Sequence, residues 1–254
     1  MTQLVENKIT ALIITRNEER NIERCLASLF QVADEIIVLD SFSLDNTKTL
    51  SLPFNVRFIE HEWLGYAASK NLGSSHASND FILSVDADEV LDAEAIEHIQ
   101  LAKKGGLSGV YQLKRKNFIG KSWVRHGGWY PDWKLRLYDR RLAVWKGNYV
   151  HEELALSNQD VKNLKGNLLH YTVQDLSEQS RTVHKYAKLA AQRHLSQGKA
   201  MHPVRALLRT LAAFVKIYLL KLGFLDGLLG LQVALISAQS KWLRYTYFKS
   251  LKSK

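Results

Sequence analysis

The sequence predicts an α/β protein: a mixed, mainly parallel sheet flanked by helices, followed by a basic helical extension. Three observations carry this prediction. Short apolar runs alternate with helical patterns through the N-terminal part of the chain. Three of the runs end in polar residues, at Thr15-Arg16-Asn17-Glu18, Asp40-Ser41-Phe42-Ser43 and Asp86-Ala87-Asp88-Glu89. The charge is also divided, with 21 Lys/Arg against 24 Asp/Glu in residues 1–180 and 14 against the single Asp226 in residues 181–254.

Ile9–Ile14 reads as the first strand and Glu18–Phe30 as the helix after it. Glu35–Leu39 is the second strand, followed by a turn and short helix around Asp45–Leu52. Val56–Ile59 and Phe81–Val85 are the third and fourth strands, followed by helices over Tyr66–His76 and Ala93–Lys104. After Gly105-Gly106 the character changes: Val110–Lys114 and Lys134–Tyr138 read as strands of a mixed region crowded by Trp123, Trp129, Trp133 and Trp145. Ser177–Ser196 is helical, His202-Pro203 breaks the pattern, and a long apolar stretch runs to Trp242. The expected division is 1–115, 116–175 and 176–254. A chain of 254 residues is long enough to bury a large core. One cysteine, Cys25, excludes an internal disulfide framework and fits a reducing compartment. Glu6, Asn7 and Lys8 precede the first strand, so no secretory leader is expected.

In a parallel sheet the three polar strand ends share one edge, where ligands bind. Two carboxylates one residue apart there, Asp86 and Asp88, suit a hard divalent cation shared with substrate phosphates. The structural alternative is an acidic loop that caps the helix from Asp92 onward. Asp40 can accept hydrogen bonds from a ribose or base, or can simply form an Asp-Ser turn. Neither G-x-G-x-x-G nor G-x-x-x-x-G-K-[ST] occurs, so phosphate neutralisation falls to a metal ion.

The segments ALIITRNEERNIERCLASL, EIIVLDSFSLDNT, KNLGSSHA and FILSVDADEVL resemble the nucleotide-sugar half of family 2 glycosyltransferases, which adopt the GT-A fold. HGGWYPDWKLRLYDRR, VHEEL and LLHYT resemble more narrowly the lipopolysaccharide inner-core β-glucosyltransferases. By that resemblance Thr15, Arg16 and Asn17 line the nucleotide pocket and Asp40 reaches the uridine. Asp86 and Asp88 match the D-x-D that binds ribose and the diphosphate-bound Mg²⁺ or Mn²⁺, with Asp88 the more direct ligand. Lys70 matches a helix position facing the donor, or is a solvated helix lysine.

An inverting transfer needs a base for the acceptor hydroxyl. Asp132, in Tyr130-Pro131-Asp132-Trp133, is the first choice; the alternative for it is a turn residue or a partner of Arg136. Glu152 is the second choice of base. Trp129 and Trp133 offer platforms for sugar faces, and Arg125 and its basic neighbours suit a phosphorylated acceptor; core packing and a solvated basic face are the alternatives. His151 and His170 are candidates for a further metal ligand or a diphosphate contact, although a lone histidine is more often structural. No zinc-site spacing occurs.

Pro203–Leu222 is apolar but for Arg205, Arg209, Lys216 and Lys221, and the first three of these fall within roughly 40° on a helical wheel. Such an amphipathic helix fits an anionic membrane surface better than a full span, and a turn over Gly223–Gly230 leads to a second apolar segment, Leu228–Ala238, with cations beyond it. A hairpin packed on protein is the alternative. Basic residues interleaved with aliphatic runs do not suit nucleic acid, and no nucleic-acid partner is expected. The expectation is a cytoplasmic enzyme, peripheral on the inner face of the cytoplasmic membrane. It would move a hexose, glucose from UDP-glucose, to a lipid-anchored saccharide such as an inner-core heptose. Rival readings are another donor or a polyprenyl-phosphate acceptor, a glycoside hydrolase, and a binding module that uses the basic tail.

Overall fold

The computed structural model describes residues 7–147, 152–156, 160–198 and 200–252. The element order is β1 (Ile9–Thr15), α1 (Ile22–Leu29), β2 (Glu35–Asp40), α2 (Thr47–Ser51), β3 (Arg57–Glu60), α3 (Tyr66–Ser75), β4 (Phe81–Ser84), β5 (Glu89–Leu91), α4 (Ala93–Lys104) and β6 (Val110–Ile119). There follow β7 (Ser122–Trp123), β8 (Asp132–Asp139), β9 (Ala143–Lys146), β10 (Glu153–Leu156), β11 (Val161–Val173), α5 (Leu176–Ser196), α6 (Pro203–Val215) and α7 (Gly227–Lys252).

The main sheet runs β3-β2-β1-β4-β8-β6-β11-β5, with β7 beside β6. The first four strands are parallel, as the alternation of apolar runs and helices predicts. β8 then joins β4 antiparallel and β5 closes on β11 antiparallel, which makes the sheet mixed.

The chain divides into two compact units, residues 1–115 with 133–170, and residues 116–132 with 171–254. In the first, alternation along the strands sorts side chains onto two faces. Ile9, Ala11 and Ile13 of β1, with Val38 and Leu83, pack under α1 and α4. Leu12, Ile37 and Ile82 pack on the other face with Ala67 of α3, Tyr138, Trp145 and Leu154. Ile22, Cys25, Leu26 and Leu29 form the buried stripe of α1 at helical spacing.

α1 starts four residues later than its apolar pattern suggests. Asn17 takes a left-handed φ of 56°, which a helix cannot include. The next two amides are held elsewhere: Glu18 N–H donates to Thr47 Oγ1 (2.8 Å) and Glu19 N–H to Asp45 Oδ2 (3.1 Å). β5, β9, β10 and the long β11 were not anticipated. β11 is rich in Lys, Asn and Gly, residues poor in strand propensity, and its pairing makes it a strand. At its Gly166 (φ +82°) a Cβ would come within 2.1 Å of the Ala95 backbone nitrogen, so only glycine fits there.

In the second unit Ile119, Val124, Val173 and Val233 form a small core against Trp129, Leu176 and Leu229. Asp175 caps α5 by accepting from Glu178 N–H (2.8 Å), and Glu178 accepts in return from Gln174 N–H (2.8 Å). α6 passes through a π-helical turn, Lys216–Leu220, and a 3₁₀ turn, Gly223–Asp226, into α7. The turn is therefore shorter than expected, and α7 continues from Gly227 to Lys252. Among the described residues no single helix is long and apolar enough to cross a membrane; the two segments Pro203–Leu220 and Gly223–Lys252 are bent by 71° and pass that test only as a pair.

Candidate active site

The carboxyl ends of β1, β2 and β4 lie together on one edge, since Thr15 pairs with Asp40 and Leu12 with Ser84. Thr15 is buried at the end of β1, and its Oγ1 has no hydrogen-bond partner among the described residues. Arg16 is exposed beside it. Asn17 is stitched to the β2 loop: its N–H donates to Ser43 Oγ (2.7 Å) and its Oδ1 accepts from Leu44 N–H (2.8 Å). Asp40 in turn accepts from Ser43 N–H (2.7 Å) and Ser43 Oγ–H (2.5 Å). Asp40 thus has the turn-forming role its Asp-Ser sequence allows, and it is almost wholly buried.

The helix-cap alternative for Asp86 and Asp88 is answered by Asp92. Its Oδ1 accepts from Ala95 N–H (2.9 Å) and from Asn167 N–H (2.9 Å), which satisfies the start of α4 without either of the other acids. Asp86 instead meets two cations. Arg136 Nη2 lies 2.7 Å from its Oδ2, and Lys70 Nζ lies 3.2 Å from its Oδ1. Lys70 is not the solvated helix lysine that α3 could have carried: it is 1 % exposed, stands 4.4 Å over the Trp145 ring, and also reaches Glu152 Oε1 at 3.5 Å. Burial would raise the Asp86 carboxyl, but the Arg136 and Lys70 charges outweigh it and hold it well below the usual carboxylate range. Burial likewise pulls the Arg136 guanidinium down, and the Asp86 and Glu89 charges raise it.

Glu89 is the residue the sequence reading left without a role. It is wholly buried, and its Oε1 takes Arg136 Nη2 at 2.6 Å and Arg115 Nη1 at 3.3 Å. Arg136→Leu should therefore cost up to about 3–5 kcal/mol, because it leaves Asp86 with Lys70 alone and the buried Glu89 with Arg115 alone. Denaturant midpoints would measure this. In the native protein the Asp86 contribution is complete above its unfolded value, about pH 4, and is lost as pH falls below it. In the variant burial acts on Asp86 without the Arg136 charge, so the stability deficit should narrow as pH falls. A deficit that stays constant with pH would contradict this account.

Asp88 faces the other way. Its Oδ2 lies 3.2 Å from His170 Nε2, brought there because His170 on β11 pairs with Glu89 on β5. Asp88 keeps 24 % of its side-chain surface, enough for a ligand to reach it. Two ligands at adjacent corners of an octahedron of ~2.1 Å radius stand about 3 Å apart, so this oxygen and nitrogen fit one divalent ion. Among the described residues no third His, Cys, Asp or Glu converges with them, so a bound ion would take its other ligands from substrate and water. Glu18 adds negative charge nearby: burial raises its carboxyl, the Asn21 hydrogen bond lowers it, and Asp88 and Asp45 raise it further. Cys25 is buried, and the same burial and surrounding acids push its thiol well up, so it is not a nucleophile.

The remaining predicted residues divide between the units. Glu152 is in the first, engaged by Lys70. Trp133 is also there, with Lys114 Nζ 5.2 Å from its ring centroid, and Trp145 is core, donating to Tyr138 OH (2.8 Å). Asp132 opens β8 in the second unit, half-buried, after the cis Tyr130–Pro131 bond. Arg136, one alternative partner for it, is engaged by Asp86 and Glu89. Trp129 packs on the small core of the second unit. Arg125 lies with its guanidinium 4.8 Å from the Trp123 centroid. His151 lies outside the described residues.

Asp226, the only acid of residues 181–254, has a use that the sequence did not reveal. Asp226 Oδ2 accepts from the backbone N–H groups of Arg125 (2.9 Å) and His126 (2.8 Å), and its Oδ1 lies 2.6 Å from His126 Nδ1. Gly127 N–H donates to Lys221 O (2.9 Å). The loop 125–128 is therefore held by the bend between α6 and α7.

The profile of the family described as Glycosyl transferase family 2 matches residues 10–155. An uncharacterized glycosyltransferase of Rickettsia bellii (strain RML369-C) is 28% identical over 99% of this chain and 89% of its own length. The lipopolysaccharide core biosynthesis glycosyltransferase LpsC of Rhizobium meliloti (strain 1021) is 27% identical over 93% of each chain. Among solved structures, S. aureus TarS 1-349 in complex with UDP-GlcNAc aligns over 96% of this chain and 92% of its own, with 14% identity and a TM-score of 0.48.

Proposed function

The chain belongs to glycosyl transferase family 2 and has its GT-A fold, and on that premise we propose that it moves a hexose from a UDP-hexose, glucose foremost, to a lipid-anchored saccharide with inversion. The observation that carries the reading is the edge where Asp88 stands with His170 while Asp86 is held by Lys70 and Arg136. Thr15, Arg16, Asn17 and Asp40 surround the nucleoside on that edge. Asp88 and His170 hold the cation, and their mixed oxygen–nitrogen set suits Mn²⁺ better than Mg²⁺. When bound, the ion neutralises charge on the departing nucleoside diphosphate. Lys70 contributes a second positive charge beside Asp86. Its burial fixes it in place, so it needs no reorganisation when charge develops.

Asp132 takes the proton from the acceptor hydroxyl as that oxygen attacks the anomeric carbon. Glu152 is the weaker choice because its carboxylate already meets Lys70 Nζ. The acceptor we propose is an inner-core heptose of lipopolysaccharide; the name of the Rhizobium meliloti relative, a lipopolysaccharide core biosynthesis glycosyltransferase, supports the lipopolysaccharide core as its class. The decisive experiment is to incubate the protein with a panel of UDP-hexoses, Mn²⁺ and acceptor lipids extracted from membranes, followed by linkage analysis of the product. Transfer from no UDP-hexose, with transfer from another nucleotide sugar, would overturn the donor assignment.

Attachment to the inner face of the cytoplasmic membrane is supported by α6. Val204, Leu207, Leu208, Leu211 and Val215 are exposed on one face, and Arg205, Arg209 and Lys216 form a stripe along its border. The bend adds exposed Leu219, Leu220, Leu222, Phe224 and Leu225. Contiguous exposed leucines rimmed by cations fit an anionic leaflet. Leu207→Asp with Leu211→Asp should abolish flotation with anionic vesicles while leaving the helical circular dichroism intact. Undiminished flotation would refute docking through this face.

A further inference from the structure

A cavity of about 270 Å³ opens where α5 ends and α6 begins. His194, Met201, His202, Arg205 and Arg209 line it with two alanines, and no acid is among them. Both histidines have fixed proton positions. His194 Nδ1 lies 2.7 Å from Arg244 Nη2, and His202 Nδ1 accepts the Val204 backbone N–H at 3.3 Å. Guanidinium and amide nitrogens only donate, so each Nδ1 is the acceptor and each ring carries its proton on Nε2. The cavity is thus lined by the Arg205 and Arg209 guanidinium groups and by His202 with its proton on Nε2, and no acid is among its lining residues.

We propose that this cavity binds a phosphate group bearing uncompensated negative charge. A tetrahedral oxyanion offers several acceptors in different directions, which suits two guanidinium forks and the His202 donor better than the planar pair of a carboxylate does. No aromatic side chain lines the cavity, so it is not a stacking site for a nucleobase. Two sources have this chemistry. One is the headgroup of an anionic lipid, whose chains would lie on the adjoining exposed Val204, Leu207 and Leu208. The other is free phosphate. The lipid source rests on the membrane docking proposed above, whereas the anion chemistry of the cavity does not.

The test compares the full chain with its Arg205→Gln/Arg209→Gln variant. Both arginines are exposed, so the fold should survive, and circular dichroism checks that it does. Each protein is titrated with phosphatidylcholine vesicles charged by phosphatidate, with vesicles brought to the same surface potential by oleate, and with inorganic phosphate in a calorimeter. A phosphate-reading cavity gives the wild type about a tenfold preference for phosphatidate over oleate, and the variant loses it. Phosphate heat in the wild type alone, without a vesicle preference, supports the cavity and assigns it to free phosphate. Equal binding to both vesicles with no phosphate heat overturns the proposal. Phosphate heat with binding to neither vesicle supports the cavity and refutes the docking face instead.

Discussion

Asp88→Ala should lower sugar transfer by about a thousandfold or more while leaving the fold intact. The side chain is 24 % exposed on the turn after β4, and its contact with His170 is polar. Its removal opens no core cavity. On the proposed reading, what is lost is the better of two ligands for the ion that would neutralise the departing diphosphate. That charge stabilisation is worth several kcal/mol, and every ~1.4 kcal/mol is tenfold in rate. The distinguishing measurement is calorimetry of UDP-hexose with and without Mn²⁺. The native protein should bind donor more tightly with the ion, and Asp88→Ala should bind equally with and without it. His170→Ala should weaken the same metal effect. Transfer at the native rate by Asp88→Ala would end the metal–diphosphate reading of this edge.

Asp132→Asn should separate binding from chemistry. An amide keeps the size and one acceptor oxygen of the carboxylate but takes no proton at working pH. The expected result is unchanged UDP-hexose affinity and transfer reduced by roughly a hundred- to ten-thousandfold, the usual contribution of a general base. The acidic limb of the pH–rate profile should disappear with it. If the variant is fully active, Glu152→Gln becomes the next substitution to make. If both are active, the base lies elsewhere in the chain.

How much of this was legible depended on whether the determining forces were local. β1, β2 and β4 were readable because strands buried on both faces are continuous apolar runs. The D-x-D was readable because two acids at the end of such a run are conspicuous. The cap on α4 was readable at Asp92, a residue type that favours that position. β11 was not readable, because its register comes from partners far away in the chain and its composition argues against a strand. Arg136 was invisible for the same reason. It lies 50 residues from Asp86 and 47 from Glu89, and nothing beside it in sequence announces a buried pairing. Lys70 could be read as facing the donor or as a solvated lysine on a helix of mostly small residues, and its contacts with Glu152 and Trp145, 82 and 75 positions away, are what the local sequence could not show. Local pattern found the acids. Pairing across the sheet supplied the cations that decide what each acid does.

The Asp226 clamp has a consequence for anyone recombining this enzyme with its relatives. The helical tail looks like a detachable module, and a joint placed at residue 176 would look clean on paper. It would part Asp226 from the amides of Arg125 and His126, and Lys221 from Gly127. The unit of exchange is discontinuous: residues 116–132 must travel with 171–254. A chimera that exchanges the tail should therefore keep its fold only when that short loop is exchanged with it.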